Sequence, residues 1–356
     1  MRAVQRDELG RRAAEPVLPS LVRAARRQVV DRRPVWFMRQ AGRSLPEYRK
    51  VREQYDLFTI CQKPELCAEV TMQPVRRLGV DGAVLFADIM LPVAFGLGVD
   101  LQLVDGVGPV IQQPIRTRQD IDRLRRQTPA ESVPFVLETI RILRRELDPS
   151  VAVIGFAGAP FTLAGYLIEG KPSREFLTTK RLMYSEPALW DALMARLSAL
   201  VVDYLAAQVE AGAQVVQVFD SWVGCLSPMD YRRYVLPYMT RIFAELQRAA
   251  APAIHFATGA AGILSLMREA GGDVIGLDWR VDLGDAWRVV GYDRAIQGNL
   301  DPALLLGPWP VIEDGARRVI EGAGGRPGHI FNLGHGVLPD TPVEHLQRLT
   351  EFVHGA

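Results

Sequence analysis

From about residue 34 onward, short apolar runs rich in β-branched residues alternate with longer stretches of helical spacing, and this alternation restricts the fold more than any other feature. The runs are Val35–Met38, Val80–Phe86, Val151–Phe156, Gln214–Phe219, Ala253–Phe256, Val274–Leu277, Ala295–Gln297 and Ile330–Leu333. Between two of them, Leu193, Leu197, Val201, Leu205 and Val209 recur every four residues and stop at Gly212, the spacing of an amphipathic helix ended by glycine. Near the end, Thr341-Pro342-Val343-Glu344 reads as a capping box with proline at the first helical position. Strands alternating with helices specify right-handed crossovers and a parallel sheet. Eight such units predict a single closed (β/α)8 barrel over residues 34–356.

Residues 1–33 stand apart. They are Arg-rich but interrupted by Asp7, Glu8, Glu15 and Asp31, and no apolar stretch follows the basic start. They are expected to form an arm leading into a first helix, without a secretory signal, on a cytoplasmic protein. The 42 basic residues are offset by 41 acidic ones, for a net charge of +1, which supplies no field for coating nucleic acid. Asp203 and Glu210 interrupt the longest apolar candidate for a membrane span, so no membrane partner is expected. Cys61, Cys67 and Cys225 form no C-x-x-C pair and read as reduced, mostly buried thiols. Gly96-Leu97-Gly98 lacks the third glycine of a dinucleotide fingerprint, and the Gly-rich stretch 322–328 lacks P-loop spacing, so no nucleotide cofactor is implied.

A barrel brings the residues that follow its strands to one mouth, where catalytic groups gather. The first run leads into Arg39-Gln40-Ala41-Gly42-Arg43 and the second into Asp88. The third leads to Gly158-Ala159-Pro160 and then Tyr166. The fourth ends in Phe219-Asp220-Ser221, and later runs give Thr258, Asp278, Asn299 and His335. Guanidinium forks bind carboxylates bidentately and hold their charge, so arginines, carboxylates and a histidine on one rim suit a polyanionic ligand with an apolar centre. Read singly, Asp88 is a helix cap or ion-pair aspartate, Ser221 a cap and Tyr166 an interfacial core residue.

Taken together these segments resemble, in the same order, the motifs of the uroporphyrinogen decarboxylase family. The matching stretches are Pro34–Arg43, Phe86-Ala87-Asp88-Ile89, Gly155–Tyr166, Gln217–Ser221, Gly298-Asn299-Leu300-Asp301-Pro302 and Asn332–Gly336. The resemblance implies a cytoplasmic homodimer of (β/α)8 barrels that needs no metal or organic cofactor. Its reaction turns the four acetate side chains of uroporphyrinogen III into methyl groups, giving coproporphyrinogen III. By resemblance, Arg39, Asp88, Tyr166 and His335 are catalytic. Arg39, Gln40, Ala41, Gly42, Arg43, Arg52, Asp88, Tyr166, Phe219, Ser221 and His335 contact the tetrapyrrole. Gly42 would let backbone approach the ligand. Ser44 and Trp222 depart from the family's common pattern and are expected to lie clear of the chemistry. The proton donor stays open, because guanidinium hardly releases a proton, and a tuned carboxyl, His335 or a water relay fits Brønsted behaviour better. The rival on the same barrel is a zinc-dependent corrinoid methyltransferase, for which His255-Phe256-Ala257 carries alanine where a cysteine ligand would stand.

Overall fold

The computed structural model describes residues 18–104 and 108–356, so the first half of the expected arm lies outside the described residues. The strands are β1 (Gly82–Val84), β2 (Leu101–Val104), β3 (Gly108–Ile111), β4 (Ala152–Gly158), β5 (Val215–Asp220), β6 (Ala253–Ala257), β7 (Val274–Gly276), β8 (Ala295–Gln297) and β9 (His329–Ile330). Seven of them form one parallel sheet in the order β1-β4-β5-β6-β7-β8-β9. All seven are buried along their length except at Phe219. Helices cover the outer face and side chains fill the inner one, which is why the strands read as continuous apolar runs rather than as alternating ones.

The first run does not form a strand. Val35 makes a single parallel bridge to Phe331. Around it, the Phe331 amide donates to the Pro34 carbonyl at 2.9 Å, and the Val35 carbonyl accepts from the Asp81 amide, just ahead of β1, at 2.8 Å. The sheet curls until its two edges are joined through this one residue. Pro34 removes a donor on one side of the bridge, and the chain already turns at Met38 and Arg39 on the other, so the ladder has no room to lengthen. The last run is also shortened, to the two residues of β9.

Three further differences have physical causes. The hairpin of β2 antiparallel to β3 sits between β1 and β4, where the sequence marks no strand. The helix that follows the arm, Ser20–Ala25, is docked rather than free, because Leu21, Val22, Ala24 and Ala25 are buried. It plugs the amino-terminal end of the barrel, with Leu21 so close to Gly82 that a Cβ there would meet it at 2.9 Å. The capping box at Thr341 does not form: the last helix, Val343–His354, has Pro342 at its N-cap and no side-chain cap. The Thr341 amide donates instead to the Leu338 carbonyl at 3.1 Å.

The stripe of Leu193, Leu197, Val201 and Leu205 is buried on the Pro187–Ala211 helix, which stops at Gly212 as expected. By length and composition alone this helix could cross a membrane, but its apolar stripe packs on the barrel. Inside the barrel, one thread of polar groups is paired end to end. The Trp36 indole donates to Gln297 at 3.0 Å, and Gln297 donates to Gln217 at 2.9 Å. Gln217 reaches the Met38 sulfur at 3.7 Å. This thread ties the segment that leads to Arg39 across to β8 and β5, with its buried amides satisfied as a buried network must be.

Candidate active site

Arg39 is set by its neighbours. The Met38 amide donates to the Asn332 side chain at 3.2 Å, and the Met38 carbonyl accepts from Val337 at 2.8 Å. With both backbone groups of Met38 tied to the segment after β9, the chain turns sharply and Arg39 takes φ 59°, a left-handed conformation costly for a non-glycine residue. Its side chain lies exposed on Gly336, where a Cβ would fall 2.4 Å from Cδ. Gln40 is fully buried. Its side chain accepts from the Phe37 amide at 3.0 Å and donates to the Gly82 carbonyl at 2.8 Å, so it holds the turn and does not face the mouth. A Cβ on Gly42 would meet the Arg39 carbonyl at 2.7 Å, so this glycine serves the turn itself before any ligand. Ala41 is half-buried and Arg43 exposed beside it. Ser44 is buried, and its carbonyl accepts from Arg49 at 3.2 Å. Arg52, at the end of the Pro46–Arg52 helix, donates to the Tyr55 carbonyl at 3.0 Å.

Asp88 follows β1 on a backbone fixed from behind. The Phe86 amide donates to the Thr71 hydroxyl at 3.0 Å, and the Phe86 carbonyl accepts from the Cys67 thiol at 3.0 Å and from that of Cys61 at 3.7 Å. The two thiols are thus free, buried and structural, and the neighbouring Cys67 thiol together with burial pushes the Cys61 pKa far up. One Asp88 oxygen accepts from the Met90 amide at 2.8 Å. Desolvation pushes the Asp88 pKa above the usual carboxylate value, and the Met90 hydrogen bond and the Arg39 charge only partly offset it.

Tyr166 lies on the Pro160–Glu169 helix that follows β4, half-buried, with its pKa raised by desolvation and by the field of Asp88. Trp222 stands edge-on to its ring at 6.1 Å, so this departure from the family pattern does touch the site. Phe219 is edge-on to Phe156 at 5.5 Å and to Phe256 at 5.7 Å, an apolar wall across three strands. Ser221 is half-buried, and its carbonyl accepts from the Thr258 hydroxyl. His335 is half-buried past β9. Desolvation and the charges of Arg39 and Arg280 press its pKa down to about 4, against a small upward pull from Asp278. Its imidazole is therefore neutral at pH 7.

The structure brings four of the expected residues into one electrostatic neighbourhood, because the charge of Arg39 acts on Asp88, Tyr166 and His335 alike. Two carboxylates that the sequence places after strands, without assigning them a role, stand at the same mouth. Asp278, just past β7, is ion-paired with Arg280 at 2.6 Å. Asp220, at the end of β5, is fully buried and accepts from Thr162 at 3.4 Å, and burial pushes its pKa up to about 8. Position after a strand was the available signal; nothing in the sequence distinguished them from caps. His255 is buried on the outer face of β6 against Phe243, at a centroid distance of 4.9 Å. Among the described residues, no group of three or more His, Cys, Asp or Glu could hold a metal ion.

The uroporphyrinogen decarboxylase (URO-D) family model matches residues 18–356. A uroporphyrinogen decarboxylase of Thermus thermophilus is 56% identical over 333 residues, covering 94% of this chain and 96% of that one. That of Carboxydothermus hydrogenoformans is 52% identical over 335 residues, covering 94% and 95%. Among solved structures, a methyltransferase from Methanosarcina mazei superposes with a TM-score of 0.76 at 21% identity, covering 94% and 97%. A B12-independent methionine synthase from Shewanella sp. W3-18-1 gives 0.58 at 9% identity, covering 85% and 91%. These two share the fold.

Proposed function

The chain belongs to the uroporphyrinogen decarboxylase family, carboxy-lyases of tetrapyrrole biosynthesis, and on that premise we propose that Arg39, Asp88, Tyr166 and His335 bind the macrocycle and carry the loss of carbon dioxide from its four acetate side chains. The observation behind this reading is that Asp88, Tyr166 and His335 all lie in the field of the Arg39 guanidinium.

The chemistry needs an electron sink. Protonation of a pyrrole ring at carbon makes it an iminium-like cation. The bond from the acetate methylene to its carboxylate then breaks, and its electron pair flows into the ring. The resulting exocyclic methylene takes a proton on carbon, and the ring gives up the proton it gained. Each round consumes one proton and one acetate carboxylate and yields a methyl group and carbon dioxide. The substrate supplies the sink, so the protein's share is binding, orientation and electrostatics.

Asp88 offers a carboxylate to the inward-pointing pyrrole N–H groups and favours the cationic ring. Arg39, with Arg43 and Arg52 on the segment beyond it, takes substrate carboxylates; the backbone at Gln40, Ala41 and Gly42 shapes the turn that presents them. Tyr166, a neutral phenol, donates a hydrogen bond near the reacting acetate. Neutral His335 and Ser221 hydrogen-bond substrate side chains, and Phe219 lies against the ring plane. With its pKa pressed down, the neutral His335 imidazole is a weak proton acceptor and meets substrate carboxylates through a ring N–H, so the proton for the ring comes from another group. The reading extends to uroporphyrinogen III as substrate, a homodimer, a cytoplasmic setting, and a barrel domain over residues 34–356 with a 1–33 segment ahead of it. Anaerobic incubation with uroporphyrinogen III, followed by chromatography of the seven-, six-, five- and four-carboxyl products, tests it. Absence of those products with well-folded protein rejects it.

A further inference from the structure

His335 has a second guanidinium nearby. The Trp279 ring stands edge-on to His335, at a centroid distance of 6.2 Å and 85°. Over the face of that tryptophan lies the Arg280 guanidinium, 3.9 Å from the ring centre. The same guanidinium is held from below by Asp278, whose side chain is 2% exposed and whose Oδ2 accepts from Arg280 Nη1 at 2.6 Å. Asp278 is itself fixed, because it also accepts the Gly259 amide at 2.6 Å and the Arg280 amide at 3.1 Å. Gly334 makes room for this arrangement: a Cβ there would fall 2.2 Å from the Trp279 nitrogen.

An ordinary surface arginine is free to move, and its ion pair contributes little. Arg280 is different, because a buried acid and an aromatic face both hold it while its side chain stays 51% exposed. Only one edge of its fork is engaged by Asp278. Its other nitrogens have no partner among the described residues, so the planar group presents donors in a fixed direction at the barrel mouth. Asp278 follows β7 and His335 follows β9, which places both on the same mouth as Arg39.

Resting on the reading of this mouth as a tetrapyrrole site, we propose that Arg280 is an additional guanidinium of the substrate clamp, binding a peripheral carboxylate of the macrocycle beside His335. Asp278 and Trp279 are its positioning residues. A substrate with eight carboxylates has more anionic groups than Arg39, Arg43 and Arg52 can pair, and Arg280 is pre-oriented, so little freedom is lost when it binds.

The test uses Arg280→Met, which keeps an unbranched apolar stem over Trp279 and removes the charge, with Arg280→Lys and Arg39→Gln alongside. Steady-state rates with uroporphyrinogen III are measured anaerobically at two ionic strengths. In Arg280→Met, KM should rise about tenfold with kcat within about twofold, because a charged hydrogen-bonded pair is lost. The thermal midpoint should fall by a few degrees with the protein still folded at the assay temperature, because Asp278 stays buried with one partner fewer. The dependence of KM on salt should weaken, and Arg280→Lys should recover part of the loss. Wild-type KM in Arg280→Met beside an impaired Arg39→Gln overturns the role of Arg280 and leaves the site reading standing. Wild-type behaviour in both variants overturns the site reading and this proposal with it. A fall in kcat at unchanged KM also overturns it, since Arg280 would then act on the chemistry and not on binding.

Discussion

Gly336 and Arg39 are in contact along the whole lower half of the arginine: a Cβ on Gly336 would fall 2.4 Å from Cδ, 2.7 Å from Cγ and 3.1 Å from Cβ of Arg39. The glycine after His335 therefore decides where the Arg39 guanidinium points. Gly336→Ala is expected to push the arginine aside while leaving the backbone unstrained, since Gly336 is not in the left-handed region. Misplacing a binding group by about an ångström costs about a hundredfold at most, so kcat/KM should fall by roughly 10- to 100-fold. Thermal melting within a few degrees of wild type, beside the kinetic loss, checks it. A fully active variant refutes the placement of Arg39.

Asp88→Asn keeps an oxygen for the Met90 amide, which in the wild type lies 2.8 Å from the carboxylate, so the loop should hold its shape. What is lost, in the role proposed for Asp88, is the negative charge opposite a cationic ring. Removing one preorganised electrostatic partner typically lowers kcat by about 10²–10³. Single-turnover decarboxylation with the fold monitored by circular dichroism measures this, and a rate near wild type would exclude Asp88 from the reaction.

The pH profile should separate two neighbours. In its proposed role Asp88 acts ionised, and desolvation raises its pKa, so kcat/KM should be full above that raised value and fall as pH drops through it. The acid limb should therefore lie at higher pH than an ordinary carboxylate gives, and Asp88→Asn should flatten it. His335, pressed down to about 4, should contribute no limb between pH 6 and 8. Its ring protons in a nuclear magnetic resonance titration of the free enzyme should shift with a midpoint near 4. A midpoint near the ordinary imidazole value of about 6.5 would mean that the burial and the flanking charges do not act as described.

Much of this architecture is written in local sequence, because a strand buried on both faces is a run of apolar residues wherever it occurs. The runs that became β4 to β8 fall within a residue or two of their expected limits for that reason. The first run failed as a strand because its pairing is decided by partners far away, Phe331 on one side and Asp81 on the other. The hairpin of β2 and β3 is two four-residue segments whose partners lie outside the barrel, and nothing in Leu101–Val104 sets it apart from a loop. At the site, position after a strand singled out Arg39, Asp88 and His335, and the charge of Arg39 acts on the other two. The division of labour within Arg39–Arg43 was not legible, since only the fold shows that Gln40 spends both ends of its amide on Phe37 and Gly82. Arg280 escaped notice among 42 basic residues because its distinction is a geometric one, the acid beneath it and the ring beside it.

The closure of the barrel depends on another buried carboxylate. Asp81, 1% exposed in its side chain, accepts from His354 Nε2 at 2.7 Å, from the Val35 amide at 2.8 Å and from Arg32 at 2.8 Å. Burial alone would raise its pKa, but His354, the Val35 amide and Arg32 together outweigh burial and hold it below the usual carboxylate value. A carboxylate with a depressed folded pKa adds stability above its unfolded value, and that stability is lost as pH falls through the folded pKa. Removing one partner with His354→Ala should cost about 1–3 kcal/mol near neutral pH, because the acid stays buried with less compensation. His354→Gln, which keeps a donor, should recover part of it. The difference between wild type and His354→Ala should shrink in strong acid, where Asp81 is protonated in both. Calorimetric melting at pH 7 and at successively lower pH, until the two curves meet, reads both effects. Equal midpoints at pH 7 would show that the last helix is not fastened to the seam through His354, and that Val35 is kept in place by its backbone pairing alone.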